Sequence, residues 1–106
     1  MIKVEYSTEA KQDLIDIFKF ISKDGEEIAR SVVKRIKKTA NALIDTPSIG
    51  TRCDVRYNVE SNLKFLISPP YIIYFEWQGD TAYIVTVLDG RRDVKNILFQ
   101  SVKPSK

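Results

Sequence analysis

The chain has no histidine and only one cysteine, Cys53, in 106 residues. Without histidine, Ser-His-Asp and Cys-His triads, imidazole general bases and histidine metal ligands are all excluded. A lone cysteine forms no internal disulfide, and with no second thiol and no imidazole it makes no zinc site. No metal or cofactor is implied, and any acid–base chemistry falls to Lys, Arg, Tyr, Asp or Glu. No apolar run approaches the roughly 18 to 20 residues that cross a bilayer. The opening "MIKVEYSTEA" lacks the basic and apolar regions of a signal peptide, so the expected location is the cytoplasm, with no membrane partner. Four glycines and four prolines, set against 43% hydrophobic and 29% charged residues, exclude a disordered or collagenous chain.

What is present fits one folded domain over residues 1–106, long enough for a single core and too short for two. The net charge of +3 and pI near 9.0 give a mild attraction to nucleic acid or to an acidic protein, too small to name a partner.

"IKVEYS" alternates Ile2, Val4 and Tyr6 against Lys3 and Glu5, the period of a half-buried strand. Ser7 or Thr8 can cap a helix whose inward stripe is Ala10, Leu14, Ile17, Phe18 and Ile21. "KDGEE" stops it and offers carboxylates to the start of a second helix. That helix carries Ala29, Val32, Val33, Ile36, Ala40 and Leu43 inward and ends near Pro47. Its outer face holds Arg30, Lys34, Arg35, Lys37 and Lys38, either a solvated helix face or a surface for nucleic acid or an acidic partner. "SIGTRCDVRYNVESN" is irregular, with Arg52 and Arg56 as contacts or, for Arg52, an ion pair with Asp54.

"LKFLIS" reads as a strand broken by Pro69 and Pro70. Two runs of about eight residues then flank Gly79 and Asp80, the signal of a tight hairpin. That turn predicts the pairs Trp77–Ala82, Phe75–Ile84, Ile73–Thr86 and Tyr71–Leu88 on a core face under the helices. The opposite face holds Ile72 and Tyr74 beside Tyr83, Val85 and Val87, greasy enough to need cover. The C-terminal segment, with Val94, Ile97, Leu98 and Val102 at helical spacing, can supply that cover, and so can a bound partner segment. The order is β-α-α-β-β-β with a short C-terminal segment of helical spacing. This is an α+β domain, an antiparallel twisted sheet with the helix pair on one face.

With that order, "TPSIGTR", "PYIIYFEWQGD" and "AYIVTVLDGRRD" resemble the RelE/ParE superfamily of bacterial type II toxin–antitoxin systems. The resemblance spans almost the whole chain and is strongest at Gly90, Arg91, Arg92 and Asp93, where many members read "VLHGRRD" and this chain has Asp89 for the histidine. It implies one of two activities on a shared fold: messenger RNA cleavage on the ribosome in RelE-like members, or inhibition of DNA gyrase in ParE-like members. RelE-like ribonucleases have an arginine just after the aromatic residue corresponding to Tyr71. This chain has Ile72 there, Lys64 as the only lysine of the preceding strand, and Leu98 near a position where they use tyrosine.

Cleavage through a 2′-hydroxyl needs a base, a cation and an acid. Arg91, Arg92 and Lys64 are the catalytic candidates of that alternative, and arginine, with a pKa above ~12, is a poor proton shuttle. The resemblance therefore favours a ParE-like binding toxin without catalytic residues, neutralised by a cognate antitoxin. A nontoxic binding member of the superfamily is the third reading, and a homodimer and a toxin–antitoxin hetero-oligomer both stay open. The candidate target or antitoxin contacts are Arg91, Arg92, Asp93, Tyr74, Tyr83 and Arg52. Arginine's planar fork suits carboxylates and phosphates.

Overall fold

In the computed structural model, which describes residues 1–100, strand β1 (Lys3–Tyr6) hands the chain directly to helix α1 (Thr8–Ile21). Ser7 makes the join. Its backbone is still extended, and its hydroxyl accepts from the Ala10 amide at 2.9 Å, satisfying one donor that a helix start leaves open. Ala10 and Leu14 are buried, and Ile17, Phe18 and Ile21 are half-buried along the expected stripe. A 3-10 turn at Ser22–Asp24 leads through Gly25 into α2 (Glu26–Asp45). Ala29, Ile36, Ala40 and Leu43 of α2 are wholly buried, and the helix stops just before Pro47.

The irregular stretch contains two elements that its composition does not signal, a short strand β2 (Thr51–Arg52) and a five-residue helix α3 (Cys53–Tyr57). Gly50, at φ +114, is required before them, because a Cβ there would lie 2.8 Å from the ring of Phe75. Strands β3 (Lys64–Ser68), β4 (Tyr71–Gln78) and β5 (Thr81–Asp89) come next, then helix α4 (Val94–Phe99). Val102, expected to extend that segment, lies outside the described residues.

The sheet order is β1-β5-β4-β3-β2. Its ladders are antiparallel except the first, since β1 runs parallel to β5 with Val4 opposite Ala82 and Tyr6 opposite Ile84. The expected antiparallel arrangement holds from β2 to β5, and the N-terminal strand joins it in parallel, which makes the five-stranded sheet mixed. The direction of β1 follows from α1, whose start bonds the edge of β5: the Ser7 amide donates to the Ile84 carbonyl at 2.9 Å. Reversing β1 would carry α1 to the other end of the sheet.

The register of the central hairpin departs from simple alternation. Trp77–Ala82 and Phe75–Ile84 pair as expected, but Tyr74 lies opposite Thr86, Ile73 opposite Val87 and Tyr71 opposite Asp89. Val85 is an extra residue, a β-bulge, and it flips the faces of everything beyond it. The expected pairs Ile73–Thr86 and Tyr71–Leu88 are thereby corrected, and Val87, assigned to the outer face, enters the helix-side core while Leu88 moves to the other side. Because β1 ends at Tyr6, the bulged part of β5 has no strand on that edge, and α1 takes its place. The Ser7 hydroxyl donates to the Val85 carbonyl at 2.7 Å, and the Asp13 carboxylate accepts from the Val87 amide at 2.9 Å.

Two apolar cores result. The larger packs α1 and α2 against Tyr71, Ile73, Phe75, Ala82, Ile84 and Val87, with Trp77 half-buried beside them. The smaller lies on the opposite face, where Cys53, Val59, Phe65, Tyr74, Leu88, Val94 and Phe99 cluster. The cover for the greasy face thus comes from the chain itself, from α3 and α4.

Candidate functional site

The turn after β5 is built by its neighbours. Gly90 approaches the β3–β4 turn so closely that its amide donates to the Pro70 carbonyl at 2.7 Å, and a Cβ would fall 3.0 Å from Ile72 and 3.1 Å from that carbonyl. Asp89, on the near side of the glycine, fixes Arg91 on the far side. Its carboxylate accepts the Arg91 amide and Nε at 2.9 Å each and an Arg91 terminal nitrogen at 2.6 Å, a two-pronged clamp. The Arg91 hydrogen bond holds the Asp89 carboxyl below the usual carboxylate range, and the same bond raises the guanidinium of Arg91. The Arg91 side chain is 73% exposed and that of Asp89 only 23%. The residue standing where the resemblance leads one to expect histidine therefore serves as a brace for Arg91.

Arg92 leaves this turn differently. Its amide donates to the Asp89 carbonyl at 3.1 Å, while its side chain enters no ion pair among the described residues. It borders an open recess of about 310 Å³ between α1 and the end of β5, floored by Ile17, Phe20 and Tyr71 and edged by Asp13, Asp16 and Asp89. Asp93 accepts from the Asn96 side chain at 2.7 Å and its carbonyl accepts the Ile97 amide, so it stabilises the start of α4 while staying exposed.

The other candidates lie apart. Tyr83 is partly exposed near the far end of β5, between Glu5 and Glu76, six residues from Asp89 and so roughly 20 Å away at strand rise. Arg52 is on the opposite sheet edge, locked to Asp54 at 3.0 and 2.6 Å. Lys64 pairs with Arg52 and with Phe75, and through Phe75 aligns with Ile84, roughly 15 Å along the sheet from the end of β5. Arg91, Arg92 and Asp93 are thus brought together, and Lys64, Arg52 and Tyr83 do not join them.

Tyr74 is corrected outright as a partner contact. It is fully buried, with its hydroxyl 2.9 Å from that of Tyr57, and its ring packs against Phe65. Burial first, then the Tyr57 hydrogen bond, pushes its hydroxyl far above the ordinary tyrosine range. Burial likewise pushes the Cys53 thiol up to about 12, helped by the Asp54 charge, which leaves it a poor nucleophile. Residue patterns missed Asp13 and Tyr57; the signal for Asp13 was a carboxylate one position before Leu14 on the edge of the helix's buried stripe. Among the described residues, no acidic, histidine or cysteine cluster could hold a metal, and no helix is long and apolar enough to cross a membrane.

Residues 4–94 match the family described as "ParE toxin of type II toxin-antitoxin system, parDE". Among solved structures, the chain resembles one described as "Chromosomal ParDE TA system from P. aeruginosa", with a TM-score of 0.69 and 19% identity. The likeness covers 82% of this chain and 94% of that one, and at such identity it speaks for the fold. No curated protein matches the chain significantly. With strand, helix hairpin, four further strands and the Gly90–Asp93 turn all in place, and with the family match spanning nearly the whole domain, the chain belongs to the ParE toxin family of type II toxin–antitoxin systems.

Proposed function

We propose that this protein inhibits DNA gyrase by binding it, with Arg91 and Arg92 as the principal contacts, and that a cognate antitoxin neutralises it. The reading rests on what surrounds the two arginines. Their turn offers braced and free guanidinium groups, with Asp89 ionised well below neutrality, and Tyr71, the tyrosine bordering the recess, is held above its ordinary range chiefly by burial. Asp89 and Tyr71 are thus shifted away from neutrality in opposite directions, which suits recognition better than acid–base catalysis by either. Arg91, pre-aimed by Asp89, loses little freedom on docking. Arg92, beside an apolar recess, adds a charge that a carboxylate or phosphate on the target can meet.

The test adds purified protein to a gyrase supercoiling reaction and, in parallel, to translating ribosomes. Blocked supercoiling with accumulation of cleaved DNA, reversed by the antitoxin, is the expected result. Cuts in messenger RNA with gyrase untouched would replace the reading with the ribonuclease one, and silence in both assays would leave a nontoxic family member.

A further inference from the structure

Strand β1 stands at the end of the sheet and pairs with β5 alone. The Lys3 amide donates to the Asp80 carbonyl at 3.0 Å and the Ser7 amide to the Ile84 carbonyl at 2.9 Å, so the odd residues of β1 aim their backbone groups at β5. The backbone groups of Val4 and Tyr6, with Ile2 just before them, aim outward, where the sheet has no further strand. The side chains alternate as well. Val4 and Tyr6 pack against the helix-side core, which puts Lys3 and Glu5 on the opposite face, both exposed and neither in an ion pair among the described residues. Tyr83, which stands apart from the arginine turn, is the register partner of Glu5 and flanks it there.

We infer that the outer edge of β1 pairs with the same edge of a second copy of this chain, antiparallel, about a two-fold axis at Val4. In that register the two Val4 residues exchange both backbone hydrogen bonds, and Ile2 faces Tyr6 of the other copy. Lys3 then faces Glu5 of the other copy on each side of the axis. A lone lysine on an edge strand repels a second edge, but Glu5, two residues on, makes this edge complementary to itself. A two-fold axis at Ile2 or at Tyr6 also gives a ladder, yet only the axis at Val4 sets a cation opposite a carboxylate, and it does so twice. Parallel pairing in register would set lysine against lysine and glutamate against glutamate. Lys3 and Glu5 occupy the non-hydrogen-bonded positions, where cross-strand side chains come closest.

The two five-stranded sheets thereby join into one. Asp89 lies five residues beyond Ile84, the partner of Tyr6, so the arginine turn stays roughly 15 Å clear of the new ladder. The pairing leaves that turn open and does not depend on the gyrase reading. A ladder this short belongs to the weak class of interfaces, and its dimer forms and dissociates with protein concentration.

The test is sedimentation velocity on the full chain from about 10 μM to about 1 mM, with amide hydrogen exchange followed by NMR over the same range. A monomer–dimer equilibrium is expected, with the Val4 and Tyr6 amides gaining protection as the dimer fills. Lys3→Glu and Glu5→Lys each weaken association about tenfold or more, since either change turns two attractive cross-strand pairs into two repulsive ones. An equimolar mixture of the two variants associates again, because every cross-strand pair in the mixed dimer joins opposite charges. The variants change only exposed side chains, and their melting temperatures confirm that the fold is kept. A chain that stays monomeric throughout, a dimer indifferent to both variants, a mixture no tighter than its components, or edge amides protected only when antitoxin is added would each overturn the proposal.

Discussion

Asp13 of α1 is hydrogen-bonded to the Val87 amide of β5 at 2.9 Å, across 74 residues of sequence, and the same carboxylate oxygen takes the Thr86 hydroxyl at 2.5 Å. One side chain thus completes the edge of a bulged strand that β1 is too short to cover. The arginine turn, Gly90–Asp93, begins three residues beyond Val87.

Asp13→Ala should therefore lower stability by about 2 kcal/mol, because two donors lose their shared acceptor in a half-buried place. Asp13→Asn, which keeps an acceptor, should lose less. Urea denaturation of both variants checks the order, and equal midpoints for Ala and wild type would show that the edge needs no cap.

On the proposed function, charge reversal at Arg92 should reduce gyrase inhibition and growth inhibition at least about tenfold while the melting temperature holds, since the side chain has no ion pair among the described residues. Reversal at Arg91 should also weaken both and, in addition, loosen the turn by repelling Asp89. Full potency in both variants would exclude the turn as a contact.

The Asp89 carboxyl, held down by Arg91, has a definite pH signature. Its native pKa lies below the unfolded value of about 3.9, so its contribution to stability is complete above that value and disappears as pH falls through the native pKa. Carbon-detected NMR titration should find Asp89 below the ordinary range, and Arg91→Gln should bring it back up. An unmoved titration in Arg91→Gln would mean the clamp is not maintained in solution.

Tyr57 and Tyr74 share one hydrogen bond between hydroxyls at 2.9 Å. Tyr74→Phe should cost about 1 to 2 kcal/mol, as a wholly buried hydroxyl is removed and that of Tyr57 loses its partner. The double change to Phe should cost less than the sum of the singles. Strict additivity in a double-mutant cycle would deny the coupling.

Cys53, buried and with its thiol pushed up to about 12, should resist a thiol reagent at pH 8 in the native state and react at once in denaturant. Labelling at equal rates in both conditions would mean that α3 opens freely.

Much of the fold is legible in local pattern. The Ser7 cap, the stripes of α1 and α2, and the Gly79–Asp80 hairpin each depend on residues a few positions apart, and periodicity reads such relations directly. The pairing of Arg52 with Asp54 is equally local. At the site, the Gly90–Asp93 turn stands out in sequence, but its wiring does not. Asp89, Asp93 and Glu76 are equally eligible partners for Arg91 by residue type alone, and the close approach of Gly90 to Pro70 depends on the chain meeting itself.

The composition and short-range order of this chain were enough for an α+β domain with a helix hairpin, a central β-hairpin and an arginine turn lacking any imidazole. The faces of that hairpin were settled by contacts between distant residues. Ser7 and Asp13 accommodate the extra Val85, which moves Val87 into one core and Leu88 into the other, and α3 and α4 close over Tyr74. A bulge is stable only when its unpaired backbone groups find partners, and an apolar face is a docking surface only when its own chain leaves it open.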